Sequence, residues 1–216
     1  SAVATYTHDG TENFSDTFTY RAYDDDLYDS NVSTATITIT PVNDAPVITD
    51  IPDETILEDG DFTTIPLSLY VSDEETEDEN ILWTYSGNDS LEVTITSQEA
   101  TITTPSDWYG EEIITFYATD TAVGTDAAKN DSDNALFKVT PVNDAPITSD
   151  VTGSGNEGES ITTTLTATDV DDTDPANFTF TILTEPSYII DGSLDTTASV
   201  TFSAGTFSQE ITYTHD

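Results

Sequence analysis

The chain has no cysteine, so neither a disulfide nor a thiolate metal site can hold it together. It has almost no positive charge: 3 Lys+Arg stand against 43 Asp+Glu, for a formal net charge of −40. Such a field repels nucleic acid and anionic membrane surfaces and draws cations. No stretch approaches the roughly 18 consecutive apolar residues of a membrane span, and no basic-then-apolar segment opens the chain. The expectation is a soluble piece without a targeting signal of its own and without membrane insertion. Catalytic signatures are missing too. There is no Ser/His/Asp or Cys/His set, no Gly-rich phosphate loop and no metal-binding helix motif. Paired carboxylates abound, but without an enclosed pocket nothing sets one apart as acid and another as base. The chain is not expected to be an enzyme. Lys129 and Lys138 are its only lysines, so a Lys–Asn cross-link is no general stabilising device.

What is present argues for a folded chain despite the charge. Aromatic and β-branched residues are plentiful and regularly placed, which an acidic disordered segment lacks. The string PVNDAP occupies 41–46 and returns letter for letter at 141–146. A repeat of about 100 residues points to an array of modules, each large enough to fold independently.

Between the two strings the sequence reads as strands. TTIPLSLYVS, ILWTYS, LEVTIT, ATITT, EIITFYAT and ALFKVT alternate apolar and polar residues, with Asp-, Glu-, Gly- or Asn-rich turns between them. This predicts an all-β protein built from Greek-key sandwiches of about seven strands. Ile81, Trp83 and Tyr85 fall on one face of their strand, and Ile114, Phe116 and Ala118 on one face of theirs. Those two faces should form the core.

The pattern continues only in part on either side. DTFTYRAYDD and STATITIT, within 1–40, match EEIITFYATD and ALFKVT. TTTLTATDVDD and NFTFTI, within 147–216, match TTIPLSLYVSDEE and ILWTYS. The chain therefore divides into the C-terminal half of a module over 1–46, a complete module over 47–146, and the N-terminal part of a module over 147–216. TYTHD at 5–9 and again at 212–216 makes this one turn of a two-module superrepeat. Half a sandwich leaves an inner face and a strand edge bare. Residues 147–216 are thus expected to be completed by a segment like 1–40, from a longer chain or from a following copy in a fibre.

VNDAP between sandwich modules, with TDVDD or SDEE closing the second strand and YATD the sixth, resembles the cadherin-like tandem repeats of bacterial and archaeal surface proteins, including the extender regions of large adhesins. The resemblance covers essentially the whole chain. It implies a linear rod of Ig-like or cadherin-like modules at the cell surface, with Ca2+ at each junction. At the first junction it implies Asn43 and Asp44 from the linker, Asp73, Glu75 and Asp120 from the following module, and Asp9 and Glu12 from the preceding one. At the second it implies Asn143, Asp144, Asp169 and Asp171, with Glu58 and either Asp107 or Glu111 from the preceding module. Glu157 and Asp24 correspond to Glu58 and Asp120. The pattern departs from the vertebrate type at Pro41 and Pro141, where an acid is expected, and at Ala45 and Ala145, in place of asparagine. The departures imply fewer ions than a full cluster at some junctions.

The chemistry is apt apart from the resemblance. Calcium takes six to eight oxygen ligands at roughly 2.3–2.6 Å in forgiving geometry. Like charges aimed at one point repel unless something cationic sits there. The proline after the linker acids removes a donor and fixes an extended backbone.

Other features have plainer readings. Glu74, Glu77, Asp78 and Glu79 read as a solvated acidic surface. His8 and His215, at equivalent places, read as structural rather than metal-binding. Trp108 and Tyr109, in a turn, read either as a plug on the end of the sandwich or as a stacking surface for surface glycans. Sequons start at Asn13, Asn31, Asn88, Asn130 and Asn177, and they are compatible with export. Two functions follow: a calcium-stiffened segment of an extracellular stalk or fibre, or a carbohydrate- or protein-binding module in which Trp108 and Tyr109 make the contact.

Overall fold

The computed structural model describes residues 3–10, 13–189 and 194–214 and divides into two compact units, Ser1–Pro141 and Val142–Asp216. Among the described residues both units are built from β-strands, with only single turns of 3-10 helix. The all-β expectation holds. Among the described residues no helix is long and apolar enough to cross a membrane.

The first unit contains β1 (Ser15–Tyr20), β2 (Ser33–Thr38), β3 (Val47–Ile48), β4 (Glu54–Leu57), β5 (Ile65–Pro66), β6 (Val71–Ser72), β7 (Leu82–Ser86), β8 (Glu92–Thr96), β9 (Glu99–Thr103), β10 (Gly110–Thr119) and β11 (Asn130–Thr140). From β3 onward these form a sandwich. One sheet runs β4-β11-β10-β7, with β4 parallel to β11. The other consists of β5-β9-β8, and β3 pairs with β6. Chain order crosses between the sheets from β7 to β8 and back from β9 to β10.

Alternation produces the core directly. Ile114, Phe116 and Ala118 of β10 are fully buried, as are Ala135 and Phe137 of β11, and they meet Leu67, Val93, Ala100 and Ile102. Phe62 meets Phe137 edge-on, with ring centroids 5.2 Å apart. Ile81 and Trp83 face inward as expected, but Tyr85 is 37% exposed. Its hydroxyl donates to the Val93 carbonyl at 2.7 Å, so it closes the rim instead of filling the core.

TTIPLSLYVS was expected to be one strand, and the structure breaks it. Pro66 ends β5, a 3-10 turn runs over Leu67–Leu69, and β6 resumes for two residues. Proline cannot donate to a ladder, and the turn drops Leu67 into the core. ETIL, which was not read as a strand, becomes β4.

Before β3 the first unit holds the β1–β2 hairpin, an antiparallel pair like β10–β11. The second unit has β12 (Ile147–Thr148), β13 (Ser160–Thr168), β14 (Thr201–Ser203) and β15 (Thr206–Thr214) in the order β12-β13-β15-β14. Its small core centres on Ala167, Phe207 and Ile211, with Phe178 stacked on Phe207 at 4.0 Å. NFTFTI matches β7 in sequence but forms no strand. In the first unit β7 pairs with β10, and among its described residues the second unit has no strand in the place of β10.

Candidate metal centre at the first linker

Residues 41–46 run from the end of the β1–β2 hairpin to β3, and the sandwich folds its acidic loops around them. Asn43 is completely buried and Asp120, just past β10, is 4% exposed. Asn43 Nδ2 donates to Asp120 Oδ2 at 2.9 Å and to the Ala127 carbonyl at 3.2 Å, and its N–H donates to Asp126 Oδ2 at 3.3 Å. The carboxylate fixes the orientation of the amide, because only the NH2 side can face it. Asn43 Oδ1 is thereby turned away, buried and without a protein partner. Lys129 completes the group: its N–H donates to Asp120 Oδ1 at 2.7 Å and its ammonium to the Asn43 carbonyl.

The next linker residue faces outward. Asp44 N–H donates to Glu75 Oε2 at 3.3 Å. Asp73 Oδ1 accepts from the N–H groups of Glu75 at 3.0 Å and Thr76 at 2.7 Å, so the turn after β6 folds around its own aspartate. Carboxylate oxygens of Asp44, Glu74 and Glu75 lie within 4.8 Å of one another. Asp73 Oδ2 and Glu75 Oε1 are buried without a hydrogen-bond partner. Asp44, Asp73 and Glu74 also line a surface hollow with Ala45, Val47 and Ser72.

These donors suit a hard divalent cation. All are oxygens, several carry charge, and the buried acceptors lack the hydrogen bonds that normally offset desolvation. Calcium therefore fits this group of residues. Glu74, read above as solvated surface, belongs to the cluster. Only the fold could show this, since Glu74 and Asp44 are brought together by the β3–β6 pairing.

The second linker repeats the frame. Asp144 N–H donates to Asp171 Oδ2 at 2.6 Å, and Asp169 Oδ1 accepts from the N–H groups of Asp171 and Asp172, each at 2.9 Å. Asp144, Asp169 and Asp171 thus reproduce Asp44, Asp73 and Glu75 bond for bond. Asn143 differs: it is exposed, and its amide turns back on the Asp144 carbonyl at 2.7 Å.

The other candidates lie elsewhere. Glu58 is buried, and its N–H donates to the Thr140 carbonyl at 2.9 Å. Asp107 is exposed in a left-handed turn, and its carboxylate comes within 4.8 Å of that of Asp59, a residue the sequence reading did not single out. Glu111 pairs with Lys138 at 3.1 Å. Asp24 Oδ1 accepts from Asp26 N–H at 3.0 Å and Tyr28 N–H at 2.8 Å, closing the β1–β2 loop. Glu157 is exposed in a turn, and Asp9 is exposed beside His8. Glu12 and His215 lie outside the described residues. His8 holds its loop together: Nδ1 accepts from Gly10 N–H at 3.2 Å, which leaves the proton on Nε2 to donate to the Asn13 carbonyl at 3.1 Å.

Trp108 is half-buried against the core, while Tyr109 is 57% exposed. Several remaining acids bind main-chain N–H groups. Glu112 accepts from the N–H groups of Asp89, Ser90 and Leu91, while Asp131 and Asp133 on β11 accept from those of Ile48 and Ile51.

No protein-family model and no curated protein matches the chain. Among solved structures it is similar to one described as the titin domains Z1Z2 in complex with telethonin, at 12% identity and a TM-score of 0.30, over 82% of this chain and 92% of that one. The sandwich architecture rests on the strand pairings themselves and not on that likeness.

Proposed function

We propose that this chain is a structural repeat segment of an extracellular stalk or fibre at the cell surface, supporting adhesion or surface assembly, with Ca2+ stiffening the linkers at 41–46 and 141–146. One observation carries the reading: three carboxylates converge at Asp44, Glu74 and Glu75, with buried acceptors on Asp73 and Glu75 that have no hydrogen-bond partner. In this reading Asp44, Asp73, Glu74 and Glu75 hold the ion. Without metal the like charges repel and the linker loosens; with metal, stability and stiffness rise together by mass action. The protein is then not an enzyme. Its partners are calcium ions and neighbouring cadherin-like modules, either along a longer chain or as head-to-tail copies, with no role for nucleic acid or membrane insertion.

The test is a calcium titration of the 216-residue chain, followed by thermal unfolding and small-angle scattering, with magnesium as control. Calcium at 100 times its Kd should stabilise by about 2.7 kcal/mol, seen as a rise in Tm. Asp44→Ala combined with Glu75→Ala should abolish the part of that rise due to the first linker. A wild-type Tm and scattering profile indifferent to calcium would leave the repeated acids as mere surface charge. Binding of surface glycans through Trp108 and Tyr109 is the weaker reading, since Trp108 is engaged with the core.

A further inference from the structure

We propose that Lys129 is a tethered cation filling the inner cation place of linker 41–46, so that this linker takes a metal ion only on its outer side, at Asp44, Glu74 and Glu75. The location of the metal rests on the calcium reading above; the lysine's own role does not.

The chain has only three basic side chains. Arg21 pairs with Asp29, and Lys138 with Glu111, both near the surface. Lys129, itself exposed, gives its ammonium to a main-chain carbonyl, that of the buried Asn43. The contacts close a ring. Asn43 Nδ2 binds one oxygen of Asp120, Lys129 N–H binds the other, and the Lys129 ammonium returns to the Asn43 carbonyl. Asp126 joins through the Asn43 N–H. Asn43 thus carries an ammonium on its carbonyl, the carboxylates of Asp120 and Asp126 on its N–H groups, and a buried Oδ1 with no hydrogen-bond partner. Carbonyl and carboxylate oxygens are the donors a hard cation takes, and here the lysine ammonium already holds the carbonyl.

The loop itself does not require lysine. In the β1–β2 hairpin, Asp24 N–H donates to the Tyr28 carbonyl at 3.3 Å and Tyr28 N–H returns to Asp24 Oδ1 at 2.8 Å. In β10–β11, Asp120 and Lys129 exchange the same two bonds, at 3.1 Å and 2.7 Å. The same frame is built with tyrosine in one hairpin and lysine in the other. The ammonium is an addition to it, in a chain with very few to place. Being covalently attached, it stays at high local concentration whatever the calcium level, and its bond to the carbonyl is charge-assisted.

The experiment compares wild type, Lys129→Met and Lys129→Arg as full chains. Hydrogen exchange is read in excess chelator, and calcium stoichiometry by equilibrium dialysis. In chelator, Lys129→Met should speed exchange at the Asn43 and Lys129 amides about tenfold, the factor that corresponds to about 1.4 kcal/mol, and Lys129→Arg should largely restore protection. In calcium, Lys129→Met should take up one more ion per chain than wild type. Equal exchange in wild type and Met would overturn the proposal, as would an Arg variant no better than Met, which would make the stem and not the charge responsible. An uptake equal to wild type in the Met variant, with Asp44→Ala still losing an ion, would overturn the inner cation place. If no variant binds calcium but Met still speeds exchange in chelator, the calcium reading fails while the tethered cation stands.

Discussion

Asp120 uses both carboxylate oxygens on neighbours that could not easily turn elsewhere, the Asn43 amide and the Lys129 main chain. Removing it takes the Asp120 acceptor from the buried Asn43 amide, which keeps only the Ala127 carbonyl, and from the Lys129 N–H, and a buried donor orphaned in this way costs about 1–3 kcal/mol. Asp120→Ala is therefore expected to lower stability in chelator by about 1–3 kcal/mol, read from the midpoint of guanidinium unfolding. Asp120→Asn keeps one acceptor oxygen and should lose less. An equal loss in the two variants would mean that the network contributes packing and not hydrogen bonding. The importance of Asp120 was legible in the repeated strand ending YATD, but that of Asp126 and Lys129 was not. Neither lies in a repeated string, and each reaches Asn43 from more than 80 residues away in sequence.

At the scale of elements, several turns are set by single residues. Gly87 follows β7 with φ +93°, and a Cβ built there would meet the Ile113 carbonyl oxygen at 2.3 Å. Both the dihedral and the contact oppose any side chain. Gly87→Ala should cost about 1–3 kcal/mol from the backbone conformation alone and more from the clash, measured by equilibrium unfolding. Phe116, completely buried between the sheets, sets the comparison for a core loss: Phe116→Ala should cost about 3–5 kcal/mol in the same experiment. Strand positions were readable from alternation where both faces differ, as in β10 and β11. They were not readable in TTIPLSLYVS, whose alternation continues through a proline and a 3-10 turn. Periodicity cannot register where a missing N–H breaks the ladder. Nor could it separate acids that face water from those, such as Glu112 and Asp133, that bind main-chain N–H groups.

At the scale of the whole molecule, the same kind of strand sequence meets two fates. ILWTYS is a strand beside β10, while NFTFTI, its counterpart in the second unit, is not. The β1–β2 hairpin carries the sequence that matches β10–β11, and Phe18 and Tyr20 on it are exposed. If neighbouring modules complete one another, extending the 216-residue chain covalently with a repeat of residues 1–40 after its C-terminus should change two readouts. The extended chain should gain strand signal over 177–182 by NMR, and it should be more stable than the unextended one. An extended chain with no new strand there would count against complementation.

By itself the sequence determined the fold class, the period of about 100 residues and the frame of acids that returns at each linker. Alternation, turn chemistry and spacing are local, and each copy of the repeat writes them again. Only the tertiary structure decided which acids converge. Glu74 joins Asp44 through the pairing of β3 with β6, and Lys129 reaches Asn43 across the β10–β11 loop. The physical reason is that Coulomb energy and coordination depend on distance in space, and a chain carrying 43 acids presents far more candidates than any one cation can touch.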